Sequence, residues 1–221
     1  MDISMRKVPV VEKILSSNDG LAMENRLRLE DSRVFSLNFM ASPGAGKTSL
    51  IERTISGLLP HFRLAVIDGD IASTLDADRA AAAGAKSIQV NTGGECHLDA
   101  IMLKSALDQL DLDEIDILIV ENVGNLVCPV NFALGTQQSV LIASIPEGDD
   151  KPYKYPGMYQ GVNALVINKI DLLPYVPFRM HYFRQGVEIL NPGLVTFQLS
   201  CRTGEGLDEW LEWVKNQVQK N

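Results

Sequence analysis

A glycine-rich loop between a strand-like and a helix-like stretch constrains the fold of this chain most strongly. Residues 34–40 form an apolar-rich run of strand length, and residues 49–59 carry apolar residues at helical spacing. The loop between them reads Ala41-Ser42-Pro43-Gly44-Ala45-Gly46-Lys47-Thr48. A strand, a glycine loop and a helix in this order are the context of a phosphate-binding loop. Backbone N–H groups of such a loop and the positive end of the helix dipole face the phosphate.

The residue types of this loop indicate how it would hold a nucleotide. Gly44 and Gly46 permit backbone angles and close approaches that a Cβ atom would forbid. Lys47 is expected to reach the β- and γ-phosphates, and the Thr48 hydroxyl to bind Mg²⁺. Ala41 replaces the first glycine of the usual pattern, at a strand end where a small side chain fits. The nucleotide-binding residues predicted in the loop are Pro43, Gly44, Ala45, Gly46, Lys47, Thr48 and Ser49.

Length and charge narrow the class of protein. The 221 residues suffice for one α/β domain with a core, and the net charge of −8 disfavours a general nucleic-acid binder. The N-terminal residues do not resemble a signal peptide, and no apolar run reaches the length of a membrane span. Three widely spread cysteines argue against a disulfide framework. These features predict a soluble, cytoplasmic protein with reduced thiols and neither a nucleic-acid nor a membrane partner.

The rest of the chain alternates between strand-like and helix-like stretches. A helical lead-in is predicted over residues 1–31, with a possible break at Asn18-Asp19-Gly20. A nucleotide-binding domain is predicted over residues 32–221. Strand–helix alternation is typical of a three-layer α/β fold built by right-handed crossovers. We therefore predict a three-layer α/β domain with a mainly parallel sheet of about seven strands.

Acidic residues follow two of the predicted strands. Asp70 follows a short buried strand, and Glu121 follows the most strand-like run, residues 115–120. Ligands bind at the carboxyl ends of strands in an open parallel sheet. Asp70 is therefore predicted to meet Mg²⁺, Glu121 to assist Mg²⁺ or the attacking water, and Gly124 to approach the γ-phosphate. Asp70 could instead cap a helix, and residues 76–79 could form a switch segment or only a solvated helix face.

A second group of residues indicates which base the nucleotide carries. Asn168-Lys169-Ile170-Asp171 lies at the end of a predicted strand, downstream of the phosphate loop. The Asp171 carboxylate can accept hydrogen bonds from the N1–H and 2-amino groups of guanine, a donor pair that adenine lacks. Backbone N–H groups further on would contact the guanine oxygen. The predicted guanine-binding residues are Asn168, Lys169, Asp171, Ser200, Cys201 and Arg202.

Two cysteines and a histidine form a candidate metal site. Cys96 and His97 are expected to open a helix, whose N-terminus favours the thiolate. Cys128 follows another strand end, so it can converge with Cys96 at the carboxyl edge of a parallel sheet. Thiolate and imidazole ligands suit Ni²⁺ and Zn²⁺ alike. From the residues alone, two core thiols and a surface histidine are the commoner interpretation.

Several stretches together resemble the HypB family, the GTPases that help to insert nickel into [NiFe]-hydrogenase. They are residues 42–48, 76–79, 91–99, 121–129, 147–152 and 168–171, within a resemblance to a G domain over residues 34–219. The resemblance implies a P-loop NTPase of the SIMIBI class that hydrolyses GTP to GDP with Mg²⁺. It also implies a nickel or zinc site at Cys96, His97 and Cys128, near the nucleotide switches and at a dimer interface. The resemblance further implies a hydrogenase maturation partner and a hydrogenase precursor as partners. Because one chain offers only three metal ligands, a second chain could complete or share the site, so we predict a homodimer that GTP favours.

Some residues depart from the family pattern, and two other functions stay open. The chain has no cysteine cluster or histidine-rich stretch near its N-terminus, and Ile101 stands where some members have another histidine. A UreG-like urease maturation GTPase would carry Cys-Pro-His, whereas Cys-His and Cys-Pro are separate here. A regulatory GTP-binding module would use its cysteines only structurally.

Overall fold

The computed structural model describes residues 10–70 and 75–220. Residues 1–9 of the predicted lead-in, residues 71–74 after Asp70, and Asn221 lie outside the described residues. The strands are β1 (Phe35–Ala41), β2 (Leu64–Asp70), β3 (Lys86–Asn91), β4 (Ile117–Glu121), β5 (Gln138–Ser144), β6 (Ala164–Asn168) and β7 (Val195–Gln198). The helices are α1 (Val10–Asp31), α2 (Lys47–Leu58), α3 (Leu75–Ala82), α4 (Ala100–Leu107), α5 (Lys151–Lys154), α6 (Pro156–Gln160), α7 (Met180–Leu190) and α8 (Leu207–Lys220).

All seven strands form one parallel sheet in the order β3-β2-β4-β1-β5-β6-β7. Strand β1 lies at the centre, between β4 and β5. The loop that follows β1 therefore leaves the carboxyl edge with strand ends on both sides, which is where ligands of such sheets bind.

Side chains that alternate between the two faces of the sheet divide the hydrophobic core into two halves. Phe35, Leu37 and Phe39 of β1 pack with residues of α2 and α8 on one face of the sheet. On the other face, α1 and α4 cover β2 and β4, while α6 and α7 cover β5 and β6. Successive side chains of a strand point to opposite faces, so each buried strand contributes to both halves. The predicted three-layer α/β fold with about seven strands is confirmed.

Helix α1 is continuous, so the break that Asn18-Asp19-Gly20 could have caused does not occur. The Asn18 side chain is buried and donates a hydrogen bond to the carbonyl of Ala133, 115 residues away. Tertiary contacts of this kind outweigh the weak helix propensity of Asn and Gly. The division between a lead-in and a nucleotide-binding domain near residue 31 stays a prediction.

Two other element boundaries differ from expectation in ways that matter for function. Strand β2 continues through Asp70, so Asp68 and Asp70 belong to the strand and share one face of it. Helix α2 begins at Lys47, inside the glycine loop, and Gly46 before it has the positive φ of 99°. Within the described residues, no helix combines the length and the apolar character needed to cross a bilayer.

Trp210 of α8 anchors the half of the core that lies beneath the phosphate loop. Its side chain is fully buried, contacts Phe39 and Phe197 edge-on, and donates from Nε1 to Thr54 Oγ1 at 2.9 Å. We expect Trp210→Ala to lower the free energy of unfolding by about 3–5 kcal/mol because it leaves a large cavity. Urea denaturation measures this, and the exposed neighbour Glu209 provides a control, Glu209→Ala, that should change it by less than about 0.5 kcal/mol.

Candidate functional site

The glycine loop borders a cavity of about 440 Å³ at the carboxyl edge of the sheet. Asp70 and Gly124, predicted to serve the same site, line this cavity, and so do Asp76 and Arg79. Ala45 is fully buried and packs against the hydrophobic core beneath the loop. The loop residues that line the cavity are Ser42, Pro43, Gly44, Gly46, Lys47, Thr48 and Ser49.

Glu121 lies behind the loop and contacts its two functional side chains. Its Oε1 accepts a hydrogen bond from Thr48 Oγ1 at 2.8 Å and lies 3.1 Å from Lys47 Nζ. The Glu121 side chain is almost completely buried, and this burial raises the pKa of its carboxyl group, while the Lys47 ammonium opposes the rise. Glu121, at the end of β4, therefore fixes the positions of the Lys47 ammonium group and the Thr48 hydroxyl group.

Asp68 joins Glu121 and Asp76 in a compact acidic group. One carboxylate oxygen from each lies within 4.8 Å of the other two. Burial raises the pKa of Asp68 to about 7, with a smaller contribution from the charge of Glu121. Among residues 10–70 and 75–220, no group hydrogen-bonds to Asp68 Oδ2 or Glu121 Oε2. Buried oxygens of this kind call for a cation or water, since unpaired buried polar atoms are costly.

A second cavity of about 370 Å³ adjoins the first, and the two share Gly46, Ser49 and Lys169 as lining residues. The predicted guanine-binding residues come together there. Asp171 Oδ1 accepts a hydrogen bond from Ser200 Oγ at 2.6 Å. The lining residues from the predicted base-binding group are Asn168, Lys169, Asp171, Ser200, Cys201 and Arg202.

This second cavity, the predicted base pocket, is tied to the phosphate loop by side chains of Asn168 and Lys169. Asn168 Nδ2 donates to the Ala45 carbonyl at 3.1 Å, and Lys169 Nζ donates to the Gly44 carbonyl at 2.6 Å. Lys169 itself has the left-handed φ of 63°. Non-glycine residues keep such a conformation only when the surroundings fix it, and the bond to Gly44 is one such restraint.

Cys96, His97 and Cys128 also come together, with ligand atoms within 4.8 Å of one another, as the family resemblance implied. Cys96 Sγ donates to Cys128 Sγ at 2.8 Å and lies 3.8 Å from His97 Nδ1. The contact with Cys96 raises the pKa of the Cys128 thiol. Two thiolates on one tetrahedral ion lie about 3.8 Å apart, so metal binding would separate these sulfurs by about 1 Å.

The helix that Cys96 and His97 were expected to open begins later. Asp99 is the N-cap of α4 and accepts a hydrogen bond from Met102 N at 2.8 Å, so Cys96 and His97 lie in the loop before the helix. Cys96 therefore lies three residues before the N-cap, and the expectation that it opens the helix is wrong. The side-chain amide of Asn125 holds this loop instead, donating to the Cys96 carbonyl at 3.3 Å.

Other side chains that support the two sites were not predicted. At the candidate metal site, the ring of Phe132 stacks on His97 with centroids 3.8 Å apart. At the phosphate loop, Ser42 contacts the side chain of Glu147, and burial raises the pKa of that carboxyl group. Asp68 could have been recognised as an acid within an apolar strand. The contacts of Phe132 and Glu147 could not have been recognised in the same way, because their partners His97 and Ser42 lie 35 and 105 residues away in the chain.

The parallel sheet, the glycine loop and the adjoining base pocket define a P-loop nucleotide-binding protein. The family model "CobW/HypB/UreG, nucleotide-binding domain" matches residues 37–197. The chain is 45% identical over 212 residues to hydrogenase maturation factor HypB of Azotobacter chroococcum mcd 1, covering 96% of this chain and 70% of that protein.

Solved structures of HypB proteins share this fold over most of the chain. The crystal structure of HypB from Helicobacter pylori in complex with nickel is 35% identical, with a TM-score of 0.89 over 93% of this chain and 96% of that one. HypB from Archaeoglobus fulgidus is also 35% identical, with a TM-score of 0.86 over 92% and 99%. The chain belongs to the HypB family of hydrogenase maturation factors, as its sequence motifs indicated.

Gly46 and Gly44 allow a matched test of how the base pocket supports the loop. A Cβ on Gly46 would lie 2.4 Å from Asn168 Nδ2, whereas a Cβ on Gly44 would meet no atom of the described residues within 4 Å. Both glycines have positive φ, so alanine at either costs about 1–2 kcal/mol of backbone strain. Gly46→Ala should cost about 1 kcal/mol more than Gly44→Ala, because Asn168 must give up its bond to Ala45.

Urea denaturation without nucleotide measures both variants. Equal losses of stability would contradict the structural link between Asn168 and the loop.

Proposed function

We propose that this protein is a GTP-hydrolysing metallochaperone that binds nickel or zinc and assists the insertion of nickel into [NiFe]-hydrogenase. The observation that carries the proposal is the convergence of Cys96, His97 and Cys128 in a chain that also has a P-loop nucleotide site. Membership of the HypB family supports the hydrogenase client, and the nickel complex of the Helicobacter pylori relative supports nickel as the cargo.

Guanine recognition is proposed for the cavity that contains Asp171. The carboxylate faces a pocket shared with the phosphate loop, and its contact with Ser200 fixes one of its oxygens. A carboxylate can accept from both guanine donors, and it would be left unpaired against adenine. The Lys169 stem, tied to the Gly44 carbonyl, borders both cavities and is placed to lie along the base.

The acidic edge of the phosphate cavity fits Mg²⁺. Carboxylate and hydroxyl oxygens are ligands that Mg²⁺ prefers, and two buried carboxylate oxygens there have no hydrogen-bond partner among the described residues. Thr48, Asp70 and Asp68 are the residues that would hold the ion or its waters. When bound, Mg²⁺ would neutralise charge that develops on the phosphates.

The chain's own groups would do the rest of the hydrolytic work. Lys47 would stabilise the β- and γ-phosphate charge, and the backbone N–H groups of the loop would orient the phosphates. Glu121 keeps the Lys47 ammonium and Thr48 hydroxyl at the mouth of the loop. Gly124, whose added Cβ would lie 3.4 Å from Pro43, gives the backbone close access to the γ-phosphate.

Release of the metal would follow from movement of these same segments. Gly124 lines the phosphate cavity and Cys128 lies four residues further on, so ordering of Gly124 by GTP would shift a metal ligand. Three protein ligands leave a coordination position open, as transfer of a metal requires. We further propose a homodimer favoured by GTP, a maturation partner and a hydrogenase precursor as partners, and action in the cytoplasm.

Base selection tests the nucleotide half of the proposal. Wild-type protein should bind GTP and GDP and release phosphate from GTP, with no competition from ATP. Asp171→Asn should weaken GTP binding by about 100-fold or more and favour xanthosine triphosphate, since an amide can donate to the 2-oxo group. Asp208→Asn is the matched control: Asp208 is exposed on α8 and is not among the lining residues of either nucleotide cavity, so GTP affinity should change little. ATP that displaces GTP at equal concentration would exclude the guanine assignment.

Coupling between metal and nucleotide tests the other half. Zn²⁺ or Ni²⁺ affinity should differ between protein loaded with GDP and protein loaded with a non-hydrolysable GTP analogue. A coupling free energy of about 1–3 kcal/mol is typical, and linkage requires the effect to be reciprocal. Isothermal titration with simultaneous mass measurement in solution records both affinity and dimer formation.

Two cysteine variants control this experiment. Cys128→Ala should abolish tight metal binding and leave GDP affinity intact. Cys201→Ser should keep the metal affinity of the wild type, because Cys201 lies in the base pocket, where burial raises its pKa to about 11. Wild-type protein that binds neither metal would instead support a regulatory GTP-binding module.

A further inference from the structure

Helix α1 binds the backbone of both segments that carry the candidate metal ligands. Asn18 Oδ1 accepts from Ala100 N at 2.9 Å, and Asn18 Nδ2 donates to the Ala133 carbonyl at 2.8 Å. Asn25 Nδ2 donates to the Ala100 carbonyl at 2.9 Å and to the Leu134 carbonyl at 3.1 Å. Each of the two side-chain amides therefore bridges the start of α4 and the segment after Cys128.

These contacts are buried and directional. Asn18 is 7% exposed and Asn25 1% exposed. They lie seven residues apart, two turns along the same face of α1. Ala100 is the first residue of α4, and its N–H has no partner inside that helix, so Asn18 satisfies it. Loss of either amide would leave buried backbone groups unpaired, which is more costly than the loss of an exposed hydrogen bond.

The backbone of α1 also touches the second segment directly. A Cβ on Gly135 would lie 2.1 Å from the Ala22 carbonyl oxygen, so the helix and the segment are in close contact there. Arg26 Nη1 donates to the Thr136 carbonyl at 3.0 Å. Residues 18, 22, 25 and 26 thus form one stripe of α1 that holds residues 133–136.

The metal ligands are close to these anchored points along the chain. His97 is three residues before Ala100, and its ring stacks on Phe132, the residue before Ala133. Cys128 is four residues before Phe132. The distance between the Cys96–His97 loop and the Cys128 loop therefore depends on two backbone segments that one pair of asparagines holds together.

We propose that Asn18 and Asn25 are positioning residues of the metal site. Their hydrogen bonds all go to backbone atoms and not to ligand side chains; together they fix the separation of the two ligand-bearing loops and so the geometry offered to the ion. This inference rests on the proposed function, in which Cys96, His97 and Cys128 bind the metal. It assigns to α1, which lies outside the matched nucleotide-binding domain of residues 37–197, a role in metal binding.

Titration of the full-length chain with Co²⁺ tests the role, because the absorption of cobalt thiolates reports both affinity and coordination geometry. Asn25→Ala removes both donated bonds, and Asn18→Asp keeps the acceptor for Ala100 N but loses the donor to Ala133. Each should weaken Co²⁺ binding by about 3- to 10-fold, less than the 10–100-fold typical of groups bonded directly to a ligand, and should alter the cobalt spectrum. GDP affinity should not change, because none of the α1 residues with described side chains lines either nucleotide cavity.

Glu24→Ala is the matched control. Glu24 is also on α1 and pairs with Lys104 of α4 at 3.1 Å, but this pair is exposed and reaches neither ligand-bearing loop. The variant should keep the wild-type Co²⁺ affinity and spectrum, since exposed ion pairs contribute little.

The wild-type protein offers a measurement that needs no variant. If the contacts of α1 favour metal binding, bound metal must in turn stabilise those contacts, because linkage is reciprocal. Hydrogen exchange of the Ala100 amide, which depends on Asn18, should therefore slow when Zn²⁺ saturates the protein. This measurement decides the question if the asparagine variants do not fold.

Failure of this inference differs from failure of the proposed function. Folded asparagine variants with wild-type Co²⁺ affinity and spectrum, or an Ala100 amide whose exchange Zn²⁺ does not slow, would overturn the positioning role. Cys96→Ala should lose Co²⁺ binding in either case. Equal Co²⁺ binding by Cys96→Ala and the wild type would instead overturn the metal site itself.

Discussion

The contact of Glu121 with Lys47 and Thr48 is the interaction on which the nucleotide site depends. It places a nearly inaccessible carboxylate at the end of β4 against the first two residues of α2. The position of the phosphate loop is therefore fixed relative to the end of β4. Removing one partner of such a buried pair leaves an uncompensated charge, which is strongly destabilising. The acidic group around Glu121 and Asp68 adds further negative charge, which suits the edge of the cavity to a cation.

The sequence predicted best which candidate side chains the fold brings together. Lys47 and Asp171 line adjoining cavities and Cys128 contacts Cys96, as expected for residues that follow parallel strands. The sheet could be predicted for a related reason: buried parallel strands are continuous apolar runs. The boundaries of β2 and α4 were less predictable, although Asp99 before an apolar helix is a recognised N-cap signal.

The supporting residues could not have been found in the same way. Asn25 was hidden because its partners are backbone carbonyls 75 and 109 residues away, and a carbonyl gives no sequence signal. Asn18 gave a misleading signal, since asparagine beside Asp19-Gly20 usually marks a break in a helix. Here the buried hydrogen bonds of its amide hold it inside α1. At this position the local sequence favours a break in the helix, whereas the tertiary hydrogen bonds of Asn18 stabilise the helix.

The two sites meet at Leu98, directly after His97. Asn122 follows Glu121 and faces the opposite side of the sheet, where its Oδ1 accepts a hydrogen bond from Leu98 N at 3.0 Å. Gly69 of β2 lies between Asp68 and Asp70, which line the phosphate cavity. A Cβ on Gly69 would be 2.5 Å from the fully buried Leu98 side chain, so the strand and this side chain are in close contact. Close-packed interiors transmit small displacements rather than absorb them. A shift of either strand end on nucleotide binding would therefore move Leu98 and the imidazole beside it, which gives the proposed coupling a physical route through the sheet.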